Sequence, residues 1–319
     1  MTIYRAPVDD MMFLFEKLRD NSNYNSLEKY KEVNVELAKD ILEQAAKLTE
    51  NLILPLAKAG DETPAKLENG IVRTPPGYKE AYKKFIKYFQ ETCRHLKYCK
   101  NPVISAPSGL ALGGGFEIVL QSNFVTSHNN IVMGLVETIV GLIPAGGGCK
   151  ELLWRWSQTE DGKKDPDYAP LKVFDIIGYG KTASSPTEAM PFKFLLEKDK
   201  SIMNRNKLLS VSQDLINEKK VGYSPPKQPT FKLSGNQVRD KMFQTLENLF
   251  KEKKILEHGM EVGKKLAFVL SGGNTTIDKE LSEDNMYALE LEAFVQLIQM
   301  EKTQARIKHT LSTGKPLVN

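Results

Sequence analysis

Cysteine is scarce in this chain. Cys93, Cys99 and Cys149 are the only three in 319 residues. Their number is odd and they show neither C-x-x-C spacing nor a small secreted framework, so a reducing compartment is expected. Histidine is almost as rare: His95, His128, His258 and His309 are widely scattered, and no metal site is predicted. No apolar run approaches the roughly 18 residues of a membrane span. The opening Met1-Thr2-Ile3-Tyr4-Arg5 turns acidic at Asp9-Asp10, without the apolar stretch of a signal peptide. The expectation is a soluble, cytoplasmic protein. An excess of one charge is also missing, because 44 Lys and Arg against 40 Asp and Glu leave only +4. That balance predicts no general attraction to nucleic acid or to a membrane surface.

What is present suits a globular protein. Apolar residues make up 41% of the chain, and its length allows two domains with a sizeable core. Leu37, Ile41, Ala45, Leu48 and Leu52 fall at helical spacing, predicting a helix that Pro55 and Gly60 end. Upstream, Pro7-Val8-Asp9-Asp10 reads as a helix start with Asp9 or Asp10 as its cap. Pro75-Pro76-Gly77 marks a loop, and Tyr78 to Tyr98 reads as a further helix. From Pro102 the texture changes to an extended run, a turn at Gly113-Gly114-Gly115, and a helix over Phe116 to Leu120. A second extended piece, Ile131 to Met133, leads to Glu137, a glycine-rich loop over 141–148 and a helix from Lys150 to Trp156. The polar span Thr159 to Pro170 reads as an exposed loop. Helical segments follow to the end, interrupted by the linker Ser224-Pro225-Pro226-Lys227-Gln228-Pro229.

Three consecutive glycines are costly in backbone entropy, so the triplet predicts a turn whose N–H groups closely approach a phosphate or a carbonyl oxygen. Two nucleotide motifs fail on spacing. After Gly141-x-x-x-x-Gly146 stands Gly147 where a P-loop needs Lys, and Gly180-Lys181-Thr182 has Asp175 at its first glycine position. A dinucleotide fingerprint begun at Gly113 meets Ile118 where its last glycine belongs. Glu117 and Glu137 stand among apolar residues, and a buried carboxylate must be offset by hydrogen bonds or by function. Together the two suggest acid–base work on one water or one α-carbon. Cys149 beside Lys150 has no base nearby in sequence, Trp154 and Trp156 read as packing residues, and Lys251 to Lys254 as a solvated face.

Ser108 to Glu117, Gly134-Leu-Val-Glu137 and Gly141 to Gly148 resemble the crotonase (enoyl-CoA hydratase/isomerase) superfamily. The likeness extends through Asp175 to Asn206, Thr303 to Ile307 and Thr313 to Leu317. These flanks resemble bacterial multifunctional proteins that join 3-hydroxyacyl-CoA dehydrogenase to enoyl-CoA hydratase. The resemblance implies an α/β fold: a partial crotonase (ClpP-like) ββα core over 86–210, with a helical N-terminal region over 1–85 and a helical C-terminal extension over 211–319. It implies that the Gly114 N–H receives the thioester oxygen while Glu117 and Glu137 hold and activate a water. Ala111, Leu112, Gly113, Pro144 and Gly147 would line the substrate site. An enoyl-CoA or acyl-CoA thioester would be the substrate, with no cofactor.

The first half of a crotonase domain, which supplies a second oxyanion N–H and much of the CoA surface, is not found. Instead Ala6 to Leu18, Leu37 to Leu56, Gly60-Asp61 and Asn69 to Tyr78 resemble the N-terminal helices of an acyl-CoA dehydrogenase. That family's flavin domain is missing, as is any NAD domain. The chain thus reads as two joined β-oxidation fragments, whose apolar faces would need covering by the N-terminal helices, another copy or a complementing subunit. Three readings stand: an enoyl-CoA hydratase, a catalytically inactive fusion remnant that at most binds acyl-CoA, and a flavin-dependent dehydrogenase fragment.

Overall fold

Burial alternates along the strand that leads into the glycine triplet: Leu110 is 75% exposed while Ala111 is buried, as a pleated strand with one face on a core requires. In the computed structural model, which describes residues 4–18, 34–69 and 71–319, this strand belongs to a mixed α/β architecture. Met1-Thr2-Ile3 and Gly70 of the sequence reading lie outside the described residues. The chain divides into two compact units, one of residues 1–66 and 73–82, the other of 67–72 and 83–319. The expected segments 86–210 and 211–319 both fall in the second.

In the first unit, α1 (Val8–Phe13) is preceded by Pro7, and no side chain caps it, so neither Asp9 nor Asp10 is the expected cap. α2 (Val35–Leu48) is capped by Asn34, whose side chain accepts from the Leu37 N–H at 2.8 Å. Its helical path does not end at Pro55. A π turn over Thr49–Ile53 hands over to a 3₁₀ turn, Leu54–Leu56, near whose start Pro55 has no N–H to lose, and α3 (Ala57–Glu62) continues through Gly60. Leu37 and Ile41 of the apolar stripe stay exposed.

The second unit holds the core. β1 (Lys66–Glu68) and β2 (Ile71–Arg73) precede α4 (Tyr78–Lys97), which spans the predicted helix and lies in this unit from Lys83 on. β3 (Ile104–Ser105), β5 (Phe124–His128) and β8 (Lys200–Ile202) form one parallel sheet in the order β3-β5-β8. In the other, β4 (Gly109–Leu112) runs parallel to β6 (Ile131–Gly134), which pairs antiparallel with β7 (Thr182–Ala183). The register sets Ala111 beside Met133. α5 (Gly114–Leu120) leaves β4 through Gly113, and α6 (Gly148–Ser157) leaves the second glycine loop. Phe116, Leu120, Ile131, Met133, Leu135, Ile143 and Leu152 are buried. Phe116 meets Phe194 edge-on at 4.8 Å.

The span Thr159 to Pro170 is exposed at most positions up to Pro166, as expected, but much of it is helical rather than a loop. Thr159 caps α7 (Glu160–Lys164), and α8 (Tyr168–Gly178) carries Ala169 and Pro170 into the core. Buried Asp167 accepts from Lys241 at 2.7 Å, which satisfies the charge that made the segment look solvated. Downstream come α9 (Pro186–Ala189), α10 (Leu208–Lys219), the ribbon of β9 (Thr230–Lys232) with β10 (Glu280–Ser282), and four more helices: α11 (Asn236–Lys251), α12 (Glu257–Leu270), α13 (Glu283–Ile298) and α14 (Glu301–Thr313).

An ion cluster ties α4, α6 and α13 together. Lys150 is 0% exposed and donates to Glu283 at 2.6 Å, Gln121 at 3.1 Å and Glu151 at 3.3 Å. Glu151 also receives Lys97 and Arg155. Burial opposes the Glu151 charge, but Lys97, Lys150 and Arg155 overcome it and hold the carboxyl well below the usual range. Arg155 extends the tie by donating to the carbonyls of Leu120, Lys193 and Phe194 at 2.8–3.0 Å. A buried pair is costly to break from one side, because the remaining charge is left without compensation. Lys150→Met is therefore expected to lower unfolding stability by about 3 kcal/mol, read as a fall in urea midpoint at unchanged slope. A change under about 0.5 kcal/mol would contradict this account of the cluster.

Candidate active site

Gly113 has φ +55° and continues the β4–β6 ladder by donating to the Gly134 carbonyl at 3.0 Å. It then turns the chain into α5. A side chain here would be strained, and its Cβ would also stand 3.3 Å from Glu137 Oε1. The Gly114 N–H follows as the first of the helix, one of the donors a helix leaves without an internal acceptor. One turn on, Glu117 points from α5 to the glycine loop, where its Oε1 accepts from Gly146 at 2.7 Å and Gly148 at 2.8 Å.

The same loop is held from its other side by a carboxylate that the sequence reading did not single out. Glu290 of α13 accepts from the N–H groups of Gly147 and Lys150, both at 2.8 Å. Its signal was available, since Glu290 interrupts the apolar stretch Ala288 to Leu297 much as Glu117 interrupts α5. Glu137 begins a 3₁₀ turn, Glu137–Val140. Although the residue keeps some exposure, both carboxylate oxygens are sealed from solvent and neither has a partner at hydrogen-bonding geometry.

These environments move the three acids upward. Burial raises Glu117 to about 7, against the opposing pull of the Gly148, Gly146 and Ala145 N–H groups and of Lys150. Burial, reinforced by the charge of Glu117, pushes Glu137 well above the carboxylate range. The same two causes raise Glu290 despite its two N–H donors. Two carboxyls beside one turn, both shifted upward, are the kind of groups that general acid–base chemistry uses.

Phe89 of α4, also absent from the sequence reading, closes the arrangement. Its ring stands 3.5 Å from where a Gly114 Cβ would be and 2.2 Å from that of Gly146, the latter position also lying 2.9 Å from Glu117 Oε2. Gly146 is thus required by the approach of Phe89. Next to it, Gln90 donates to the Ala145 carbonyl at 2.7 Å. Gly113, Gly114, Glu117 and Glu137 therefore converge around one turn. Pro144 packs at Gly148, Ala111 turns into the core beside Met133, and Leu112 is half-buried. Gly147 spends its N–H on Glu290 and its carbonyl on Glu151 and Gln121. Burial and the charges of Glu290, Glu117 and Glu137 push the Cys149 thiol well up, the opposite of an activated nucleophile. Trp154 and Trp156 pack at Phe231 and Tyr168.

Comparison with known proteins finds a family likeness for this turn. Residues 73–156 match the enoyl-CoA hydratase/isomerase family model. Gly113 to Glu117, Glu137 and the glycine loop lie inside the enoyl-CoA hydratase/isomerase segment, whereas Glu290 lies outside it. Over 235 residues, 73% of this chain, the protein is 36% identical to "Probable 3-hydroxyacyl-CoA dehydrogenase" of Bacillus subtilis and spans 29% of that relative's length. Over 92 residues it is 37% identical to 3-methylmercaptopropionyl-CoA dehydrogenase of Ruegeria pomeroyi, covering 29% of this chain and 16% of the relative. Among solved structures, enoyl-CoA hydratase from Bacillus halodurans aligns with a TM-score of 0.43 at 13% identity, over 72% of this chain and 68% of that one. Among the described residues no helix is long and apolar enough to cross a membrane.

The raised pKa of Glu117 sets a pH dependence. Between its ordinary value of 4.5 and about 7, the folded state keeps a proton that the unfolded chain has released, so stability falls as pH rises through this window. Glu117→Gln keeps an oxygen for the Gly146 and Gly148 N–H groups and removes the titration. Urea unfolding near pH 5 and near pH 8 is expected to show a fall in stability in both proteins, since Glu137 and Glu290 are raised as well, but a fall smaller by about 2 kcal/mol in the variant. Equal slopes in both would be inconsistent with a buried, upshifted Glu117.

Proposed function

We propose that the protein hydrates an enoyl-CoA thioester of fatty-acid oxidation. The observation that carries this reading is the convergence of Glu117 and Glu137 on the Gly113–Gly114 turn. Glu117, titrating near neutrality, takes a proton from water as the water oxygen bonds to the β-carbon. The electron pair of the double bond moves toward the thioester carbonyl, and the Gly114 N–H receives the charge that develops on that oxygen. Glu137, held protonated, delivers its proton to the α-carbon. The two glutamates then exchange the proton gained for the proton lost through the departing product or solvent. The addition is redox-neutral, so no flavin or nicotinamide takes part.

The family match supports an enoyl-CoA substrate, and the name of the Bacillus subtilis relative supports an acyl-CoA thioester. The match over 92 residues to 3-methylmercaptopropionyl-CoA dehydrogenase is in keeping with an acyl-CoA dehydrogenase-like fragment in this chain. The exposure of Leu110 on edge strand β4 is in keeping with a second copy or complementing subunit there. A second reading, an acyl-CoA binder without turnover, is favoured by Phe89, whose ring occupies the space beside Gly114 and Gly146.

Loss of enoyl-thioester absorbance with crotonyl-CoA separates the two. Hydration is expected from the native protein, with Glu137→Gln slower by about 10²–10⁴-fold in kcat. Saturable crotonyl-CoA binding with no turnover above that variant would leave the non-catalytic reading. A flavin-coloured protein would instead revive the dehydrogenase reading.

A further inference from the structure

The stretch Thr303 to Ile307, singled out in the sequence, lies outside residues 73–156 and takes no part in the chemistry above. Thr303, in the first turn of α14, nevertheless reaches the turn that carries Glu137. It is buried, and its hydroxyl donates to the Gly141 carbonyl at 3.0 Å. On the other side of the same peptide, the Leu142 N–H donates to the main-chain carbonyl of Glu137 at 3.0 Å. One peptide unit therefore links the Thr303 hydroxyl to the backbone of Glu137.

A second buried side chain, from α12, extends this row of bonds. His258 places its Nε2 2.8 Å from Thr303 Oγ1. A hydroxyl has one hydrogen, and Thr303 gives it to Gly141, so Nε2 must be the donor to Thr303. Burial, with the charges of Arg306 and Lys302, holds the imidazole down to about 4, so the ring is neutral near physiological pH and carries a single N–H. Hydrogen bonds in such a row polarise one another. The approach is close enough to require glycine. A Cβ at Gly141, whose φ is +81°, would stand 2.9 Å from His258 Nε2 and 3.0 Å from Thr303 Oγ1.

The Glu137 side chain has no comparable hold. Neither carboxylate oxygen has a partner at hydrogen-bonding geometry, so the acid is placed by its own backbone. On the far flank of the turn, Thr138 Oγ1 donates to the Ile177 carbonyl of α8 at 2.9 Å. We propose that Thr303, oriented by His258, is a positioning residue for Glu137: through Gly141 it fixes the turn Glu137–Val140 and so sets where the acid stands. The proposal rests on reading Glu137 as the acid of the hydration. A displacement of about 1 Å at such a group is enough to cost about 10²-fold in rate.

Two measurements on the full chain test it: crotonyl-CoA hydration, and the carboxyl NMR signal of isotope-labelled Glu137, assigned by its loss in Glu137→Gln. Thr303→Val, nearly isosteric but without the donor, is expected to lower kcat by about 10–100-fold with KM little changed. Thr303→Ser should recover most of that loss. Adding His258→Leu to Thr303→Val should lower kcat no further, because His258 acts through the hydroxyl. The Glu137 signal should be displaced in Thr303→Val and return in Thr303→Ser. Native kcat in folded Thr303→Val, a loss carried by KM alone, no recovery in Thr303→Ser, a further loss on adding His258→Leu, or an unmoved Glu137 signal would each overturn the proposal. Absence of turnover in the native protein would instead sink the hydratase reading, and the carboxyl signal then decides whether Thr303 sets the position of Glu137. If circular dichroism shows Thr303→Val unfolded, His258→Leu alone, which leaves the hydroxyl without its donor, is read by the same two measurements.

Discussion

Four backbone N–H groups of the glycine loop are shared alternately between two buried glutamates. Gly146 and Gly148 donate to Glu117, and Gly147 and Lys150 donate to Glu290. A loop of this composition has little side-chain packing to fix it, and its buried donors must find acceptors. The two carboxylates supply them from α5 and α13, helices far apart in sequence. The clamp therefore joins residues 73–156 to the C-terminal helices, orients the start of α6, and fixes the Glu117 side chain by the same bonds that satisfy the loop.

Such a clamp concentrates negative charge in the core, and Lys150 moderates it. The residue contributes its N–H to Glu290 and its ammonium to Glu283, Gln121 and Glu151. With Lys97 and Arg155 it forms a cationic layer beneath the acids. The layer lowers Glu151 strongly, yet for Glu117 it does not outweigh burial. Two neighbouring regions of one core thus keep carboxyls in opposite protonation regimes, a structural anion at Glu151 and a titratable acid at Glu117. The difference comes from direct contact: Lys97, Lys150 and Arg155 touch Glu151, whereas Glu117 is met by backbone dipoles.

Local features of the site were legible in the sequence because they are written in adjacent residues. The strand, the Gly113 turn, α5, β6 and α6 follow from periodicity and from glycine's freedom at positive φ. Glu117 and Glu137 stood out against apolar neighbours. Features that depend on distant residues were not legible. Glu290, Lys150 and Phe89 acquire their roles only when α13, α6 and α4 close on the loop. The segment Thr159 to Pro170 was misread because the partner that neutralises Asp167, Lys241, is 74 positions away. The helical path continues past Pro55 because a π turn followed by a 3₁₀ turn needs no donor there, an arrangement that a rule about proline in α-helices does not anticipate.

The contrast among the three upshifted glutamates distinguishes scaffold from chemistry. Glu290 accepts two N–H bonds, and both bind the loop to α13. Glu117 accepts two through one oxygen, leaving the other toward Gly146 and Phe89. Glu137 accepts none, although its oxygens are sealed from solvent. An unsatisfied buried carboxyl is destabilising, and a fold that needed only structural support at this position would do better with an apolar residue. Keeping Glu137 protonated relieves the charge but leaves a donor and a lone pair without partners beside Gly113. A substrate that brings a carbon to be protonated, or a water to be held, would complete that unfilled bonding capacity. The same geometry sets the Phe89 ring of α4 against Gly114 and Gly146, and only the missing side chain at Gly146 leaves room for it.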